Sequence, residues 1–331
     1  MIDYQIKAVN EDFRVTEIAD LNLSGGAHSV FLLHKSGMKT TDAVEQISRM
    51  IDRPVSDISY SGLKDEDAVT GQFISIPDVK FEKLSFSFEN GNFFNLKHVG
   101  NAPESCKIGK LFGNAFSIRI RRLDEDTAQK IIANEKKKIN IINYYGIQRF
   151  GMPGLPKITH FIGKSLLEGK YDEMAELMFQ SGNISETEYS DYKSNPGMIL
   201  DAIDIRKLNF FINAWDSYIW NKKMADNLVK NNVYTEKREM CCVSYLYSDV
   251  DSYTSEVLSK LLIIRHRLTP EFTKEEYTSY RQPVLSLVYS CSDVMQDEMN
   301  EGKVMIDMKF TLPSGSYATV AIDQILWQYS R

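Results

Sequence analysis

Between Gly151 and Lys157 the chain reads GMPGLPK. Pro153, Gly154 and Pro156 in so short a span stop any helix or strand that reaches them. The sequence on the two sides differs in character. Before the break, strand-like and helix-like patterns are mixed. After it helical spacing dominates, most clearly in Leu208, Phe211, Ile212, Trp215 and Ile219, a stripe expected to pack in a core. Pro270 and the RQPVL stretch from Arg281 to Leu285 mark a return to strands, which should pair with the N-terminal part. At 331 residues the chain exceeds what one core usually supports. The expectation is an α+β protein with a second domain inserted into a discontinuous first one. Residues 1–152 and 281–331 would form the first domain and 153–280 the insertion.

Local patterns fill in this outline. Thr41 or Asp42 can cap a helix with apolar positions Val44, Ile47, Met50 and Ile51, which Pro54 stops. Thr70 to Ile76 and Phe116 to Ile120 alternate as strands do. Leu123 to Lys138 reads as a helix, with Asp124, Glu125 and Asp126 in its first turn and Lys136, Lys137 and Lys138 in its last, as the helix dipole favours.

Composition excludes several classes. Cys106, Cys241, Cys242 and Cys291 form no Cys-x-x-Cys pair, so reduced structural thiols are expected. The five histidines (His28, His34, His98, His160 and His266) lack metal-ligand spacing, and no metal is expected. The first residues, MIDYQIKAVNEDF, lack the apolar core of a signal peptide, and no apolar run approaches membrane-spanning length. A cytoplasmic monomer without a membrane partner is expected. The net charge is −6, yet Lys97 to Lys170 holds 14 Lys and Arg against 6 Asp and Glu, a local +8 that leaves −14 elsewhere. A segregated basic stretch is the footprint of a nucleic-acid partner, although single clusters are more often solvated helix faces.

The segment SGLKDEDAVTGQF, from Ser61 to Phe73, carries the most chemistry. A glycine beside Lys64 and Asp65 marks a loop whose backbone can aim a side chain into a cleft. Other unusual segments surround it in order: EDFRVTE from Glu11, HKSGMKTTDAV from His34, FGNAFSIRIR from Phe112, NYYGIQRFG from Asn143 and FTLPSGSYAT from Phe310. Together they resemble the TruD-type pseudouridine synthases, which isomerise uridine in tRNA. GLKDxxAVTxQ and NYxGxQRFG are the long, specific matches.

The resemblance implies a pseudouridine synthase fold with a mixed, mainly antiparallel sheet and an inserted α/β (TRUD) domain. It implies tRNA as partner, uridine 13 of the D arm as target, and no cofactor. It places catalysis on Asp65, as nucleophile or base toward sugar or uracil. Lys64 and Arg149 are the cations expected to offset its charge, because Glu66 and Asp67 would oppose ionisation if they pointed the same way. Glu17 would orient Lys64 or Arg149. Phe13 and Tyr145 are candidate platforms for a base turned out of its stack. Asn143, which either meets a uracil edge or bridges loop backbone, and Gln148 complete the set. Two positions depart from the family pattern: Glu66 stands where a basic residue is common, and Tyr145 where Phe is usual, so its hydroxyl needs a partner. Lys136, Lys137, Lys138, Arg149, Lys157 and Lys164 are expected to face RNA, with Arg119 and Arg121 as alternatives. LPSGSYAT reads as a strand after a Pro-Ser-Gly turn. Rival readings are an RNA-binding or tRNA-folding module without catalysis, and a hydrolase using Glu17 as a second carboxylate.

Overall fold

A computed structural model describes residues 3–106, 111–240 and 243–329. Cys241, Cys242, Lys107 and Lys110 lie outside the described residues. The chain begins with β1 (Phe13–Ala19), β2 (His28–Ser36), α1 (Thr40–Ile51), β3 (Ser59–Tyr60), β4 (Val69–Pro77), β5 (Lys83–Ser87), β6 (Phe93–Ala102) and β7 (Leu111–Leu123). Then come α2 (Glu125–Ala133), β8 (Lys138–Ile142), α3 (Thr159–Glu168), α4 (Tyr171–Gln180), α5 (Glu186–Ser194), α6 (Met198–Ala202) and α7 (Ile205–Lys230). The chain closes with β9 (Glu236–Met240), β10 (Val243–Tyr247), α8 (Ser252–Ser259), β11 (Ile263–Leu268), β12 (Lys274–Ser279), β13 (Val284–Cys291), β14 (Met295–Gln296), β15 (Val304–Pro313) and α9 (Ala318–Tyr329).

Two compact units result: Met1–Ile139 with Leu287–Ala318 and Ile325–Arg331, and Asn140–Ser286 with Thr319–Gln324. The first is discontinuous in sequence. Its sheet runs β5-β6-β2-β4-β1-β7-β15-β13, with β3 beside β4 and β14 beside β15, and the path ends in β8. β1 and β4 pair in parallel, whereas β7 pairs antiparallel with both β1 and β15. The return of the C-terminal strand to β7 closes the unit. One face of the sheet is apolar: Phe31, Leu33, Ile74, Ile76, Phe94 and Leu96 meet Ala43, Val44 and Ile47 of α1. The alternation of β2 and β4 sets this face, because side chains on a strand point to opposite sides in turn. In the second unit, Ile162, Leu166, Met174, Met178, Leu208, Phe211, Ile212 and Leu268 form one core. The aromatic stripe of α7 thus contributes Leu208, Phe211 and Ile212 to that core, while Trp215 and Ile219 are half-buried.

Four local expectations are corrected. α1 starts after Lys39, which makes no side-chain cap, and neither Thr41 nor Asp42 caps it. Met50 is exposed rather than part of the apolar face. α2 ends at Ala133, and Lys136 takes a left-handed conformation (φ 62°) with its N–H on the Tyr289 carbonyl (2.8 Å). The three lysines therefore follow the helix, and Lys138 opens β8. Lastly, the strand of FTLPSGSYAT precedes its turn: β15 ends at Pro313, and Ala318 begins α9.

Candidate active site

The loop from Ser61 to Ala68 joins β3 to β4, and its backbone is held by buried polar side chains beneath it. Gly62 adopts φ 155°, a conformation side-chain-bearing residues rarely take. On β4, Gln72 donates Nε2 to the Gly62 carbonyl (3.1 Å) and accepts at Oε1 from the Thr40 hydroxyl (2.9 Å). That hydroxyl accepts in turn from the Lys64 N–H (3.0 Å). Thr40 thus serves the loop at the start of α1. The Lys35 ammonium donates to the carbonyls of Met38 (2.7 Å), Asp65 (2.8 Å) and Lys64 (3.4 Å).

The Lys64 side chain turns inward. Its Nζ lies 2.5 Å from Glu17 Oε1, and Glu17 Oε2 accepts from the Phe73 N–H (2.8 Å). The Glu17 side chain is fully buried. A charge pair in so dry a setting is tighter than one at the surface, so Lys64 is committed to Glu17. Asp65 points the other way, with its side chain 54% exposed. Its counter-cation is Lys7, whose Nζ lies 2.7 Å from Oδ2. This corrects the assignment of Lys64 as the partner of Asp65. Lys7 itself has φ 58°, a left-handed conformation that costs about 1 kcal/mol in a residue with a side chain. Its ammonium also stands 4.3 Å from the centre of the Phe13 ring. Phe13 is buried, edge-on to Phe116 (6.1 Å), so Lys7 covers it. Glu66 and Asp67 are exposed to solvent.

On the sheet face opposite α1, a groove of about 650 Å³ is lined by His34, Val69, Glu82, Lys83, Phe93, Asn95 and Lys97. Burial lowers the His34 pKa, which favours the neutral ring. Other members of the basic stretch serve the fold. Arg119 forks onto Asp307 (2.8 and 3.0 Å). Arg121 is buried and bonds Asp12, Asp297 and Glu298. Burial takes Arg121 out of reach of RNA, whereas Arg119 is partly exposed with its charge offset by Asp307. Lys136 pairs with Glu135 (3.2 Å), and Lys137 donates to Asn134 (2.9 Å).

In the second unit, the loop after β8 carries the NYYGIQRFG segment. Asn143 is buried and its amide is used locally: Oδ1 accepts from Arg281 (2.8 Å), and Nδ2 donates to the Gln282 carbonyl (2.8 Å). Tyr145 is 5% exposed. Its N–H donates to Asn221 Oδ1 (2.8 Å), and its carbonyl accepts from the Tyr245 hydroxyl (2.8 Å) and Asn221 Nδ2 (2.9 Å). Its hydroxyl accepts from Arg265 Nη2. The Arg281 guanidinium lies 3.9 Å from its ring centre. Gln148 donates to the Thr319 hydroxyl (3.2 Å), and Arg149 Nε donates to Ser217 Oγ (3.3 Å) with its guanidinium 5.4 Å from the Phe210 ring. Lys157 folds back onto the carbonyls of Gly151 and Met152.

The geometry thus joins Glu17 to Lys64 and adds Lys7, Lys35, Thr40 and Gln72 around Asp65. Sequence reasoning missed these four. Lys35 had a readable signal, since it follows Phe31 and Leu33 in the inward register of β2. Lys7 had none, because its contact with Asp65 spans 58 residues. Arg265 and Arg281 were also missed as neighbours of Tyr145.

Comparisons with known proteins agree with this architecture. The family model described as "TruD: tRNA pseudouridine synthase D (TruD)" matches residues 1–208. The chain is 28% identical to "Probable tRNA pseudouridine synthase D 1" of Methanococcus maripaludis, over 96% of this chain and 97% of that one. It is 25% identical to "tRNA pseudouridine synthase D" of Aquifex aeolicus, over 98% of both. It is 24% identical to the human "Pseudouridylate synthase 7 homolog", over 92% of this chain and 59% of that protein. A crystal structure from Methanosarcina mazei, described as "Putative tRNA pseudouridine synthase D (TruD)", shares the fold, with a TM-score of 0.61 at 20% identity over 99% of this chain and 93% of that one. The chain belongs to the TruD family of tRNA pseudouridine synthases.

Proposed function

We propose that this protein is an isomerase that converts uridine to pseudouridine in tRNA, at uridine 13 of the D arm, with Asp65 as its catalytic carboxylate and no cofactor. The reaction breaks the N1–C1′ bond and joins C5 to C1′. The hydrogen on C5 is lost and N1 gains a proton, so the uracil is rearranged without net oxidation or hydrolysis. A carboxylate serves either route, by attacking ribose or uracil or by removing a proton.

The observation that carries the reading is the opposite treatment of the two halves of Asp65. Its backbone carbonyl is fixed from below by a buried ammonium, while its carboxylate is exposed to solvent and bound by Lys7. A carboxylate held this way is oriented yet reachable, as a catalytic group must be. Lys64 positions the loop through Glu17 rather than touching the reacting atoms. The groove bearing Lys83, Lys97, His34 and Phe93 offers cations for phosphates and rings for bases, the means by which single-stranded RNA is held. Tyr145, with Asn143, Gln148 and Arg149, forms the substrate-binding set of the second unit. Within that set the Tyr145 ring is buried beneath Arg281, so its part is to hold the loop and the guanidinium in place.

Burial of Glu17 against Lys64 argues against the hydrolase reading, which needs a second accessible carboxylate. Incubation with tRNA carrying tritium at C5 of uridine tests the proposal. Release of tritium with intact RNA is expected. Binding without release would support the RNA-binding module, and RNA or nucleoside cleavage the hydrolase.

A further inference from the structure

β2 places Phe31, Leu33 and Lys35 on the same inward face, and all three are completely buried. The third position of this row is an apolar site by register, flanked by Thr70 of β4 and Phe94 of β6. A lysine there is costly, because an ammonium removed from water must recover its lost hydration from protein groups. Lysine has three donors, and here they face three main-chain carbonyls: Met38 (2.7 Å), Asp65 (2.8 Å) and Lys64 (3.4 Å). Two of the three belong to consecutive residues of the loop that carries the candidate catalytic carboxylate. A methionine or leucine would fill the same space without the desolvation cost, so the ammonium is explained by what it holds.

We infer that Lys35 is a positioning residue, whose buried ammonium clamps the carbonyls of Lys64 and Asp65 and thereby aims the Asp65 carboxylate. This rests on Asp65 being the catalytic group. Thr40 and Gln72 fix the front of the same loop, at the Lys64 N–H and the Gly62 carbonyl, and Lys35 fixes its middle, at the Lys64 and Asp65 carbonyls. Removal of Lys35 therefore frees the segment that bears the carboxylate while leaving the Lys64–Glu17 pair in place. The clamp also depends on a proton. Burial lowers the Lys35 pKa to about 8, against the opposing pull of Asp65, Glu66 and Asp42 and with a smaller push from Lys64 in the same direction. Once deprotonated, Nζ keeps two N–H groups for three carbonyls and loses its charge-assisted bonds.

The test is Lys35→Met in the full chain. The expected result is a fall in kcat of at least 100-fold with tRNA Kd within threefold of wild type, together with faster amide exchange in the peptide covering residues 61–67. A folded Lys35→Met protein with wild-type exchange in that peptide overturns the inference. So does one with wild-type kcat. If Lys35→Met does not fold, Lys35→Arg carries the test. Wild-type kcat should fall as pH rises from 7 to 9.5, and the arginine variant, which keeps its charge, should stay level over that range. A wild-type kcat that is level to pH 9.5 also overturns the inference. Asp65→Asn, assayed in parallel, separates the two claims. Activity in that variant would remove the catalytic reading, whereas the exchange of residues 61–67 reports the clamp whatever Asp65 does.

Discussion

The Tyr145 hydroxyl accepts a hydrogen bond from Arg265, and the Arg281 guanidinium covers one face of the ring. These contacts account for a tyrosine where the family usually has phenylalanine: the additional oxygen has a cationic donor. Replacement of Tyr145 by Phe leaves the ring and the Arg281 contact, and deprives Arg265 of one partner. A hydrogen bond to a charged group is worth about 1.5–3 kcal/mol. The variant should therefore lose stability in denaturant unfolding by an amount near the lower end of that range and keep kcat within about threefold. Tyr145→Ala empties a buried site and should lose about 3–5 kcal/mol of stability and most of its activity. A Phe variant as inactive as the Ala variant would give the hydroxyl a chemical role. Lys35 makes the complementary point at this scale, since its conspicuous partners are main-chain oxygens and not acids. Motif resemblance drew attention to Lys64 and Asp65, but the loop's geometry depends on residues from HKSGMKTT and on the final Gln of GLKDxxAVTxQ.

At the scale of elements, α3 places His160 where burial keeps it neutral. Its ring stacks on Tyr218 (4.7 Å) and meets Phe150 edge-on (5.1 Å), and neither nitrogen has a hydrogen-bond partner among the described residues. Burial lowers its pKa to about 4 from the usual 6.5. Between those values the unfolded chain binds the proton and the folded one does not, so stability rises with pH across the window and is lost as pH falls through it. His160→Phe should flatten the fall in unfolding free energy between pH 6.5 and 4 relative to wild type. An identical pH dependence in the two proteins would mean that the ring is hydrated in solution. Such tertiary settings explain which elements were legible in the sequence. β7 was readable because alternate residues from Phe116 to Ile120 are buried, and α7 because Leu208, Phe211 and Ile212 fall on one buried side, whereas β4 is buried on both faces. The end of α2 was not readable. Three lysines suit a helix terminus electrostatically, yet the Lys136 N–H is taken by the carbonyl of Tyr289, far downstream in the sequence. The helix at the end of FTLPSGSYAT was misread for a similar reason: Pro313 closes a strand whose partner β7 lies far upstream.

For the molecule as a whole, a chain of net charge −6 must present its positive charge locally to bind tRNA. With Arg121 buried among acidic partners and Arg119 only partly exposed beside Asp307, the exposed lysines are the better candidates for phosphates. Each phosphate contact removed lowers the slope of log affinity against log salt by about one. Lys83→Ala with Lys97→Ala, in the groove, should lower the slope by about two. Lys136, Lys137 and Lys138 changed together to Ala should lower it by up to about three. An unchanged slope in either set removes that set from the RNA path. The Pro and Gly break and the late return to strands lead to an expectation of domain bounds at 152/153 and 280/281, whereas the two compact units divide after Ile139 and Ser286 and both are discontinuous in sequence. The pairing of Asp65 with Lys7 was not legible, because nothing local to either residue marks it. The central claim is that Asp65 performs the chemistry. Its most direct test is Asp65→Asn, assayed for tritium release from C5-labelled tRNA alongside tRNA affinity. The variant should form no detectable pseudouridine while binding tRNA within about tenfold of wild type, a difference of about 1.4 kcal/mol. Near-normal tritium release by a folded Asp65→Asn protein would contradict the account.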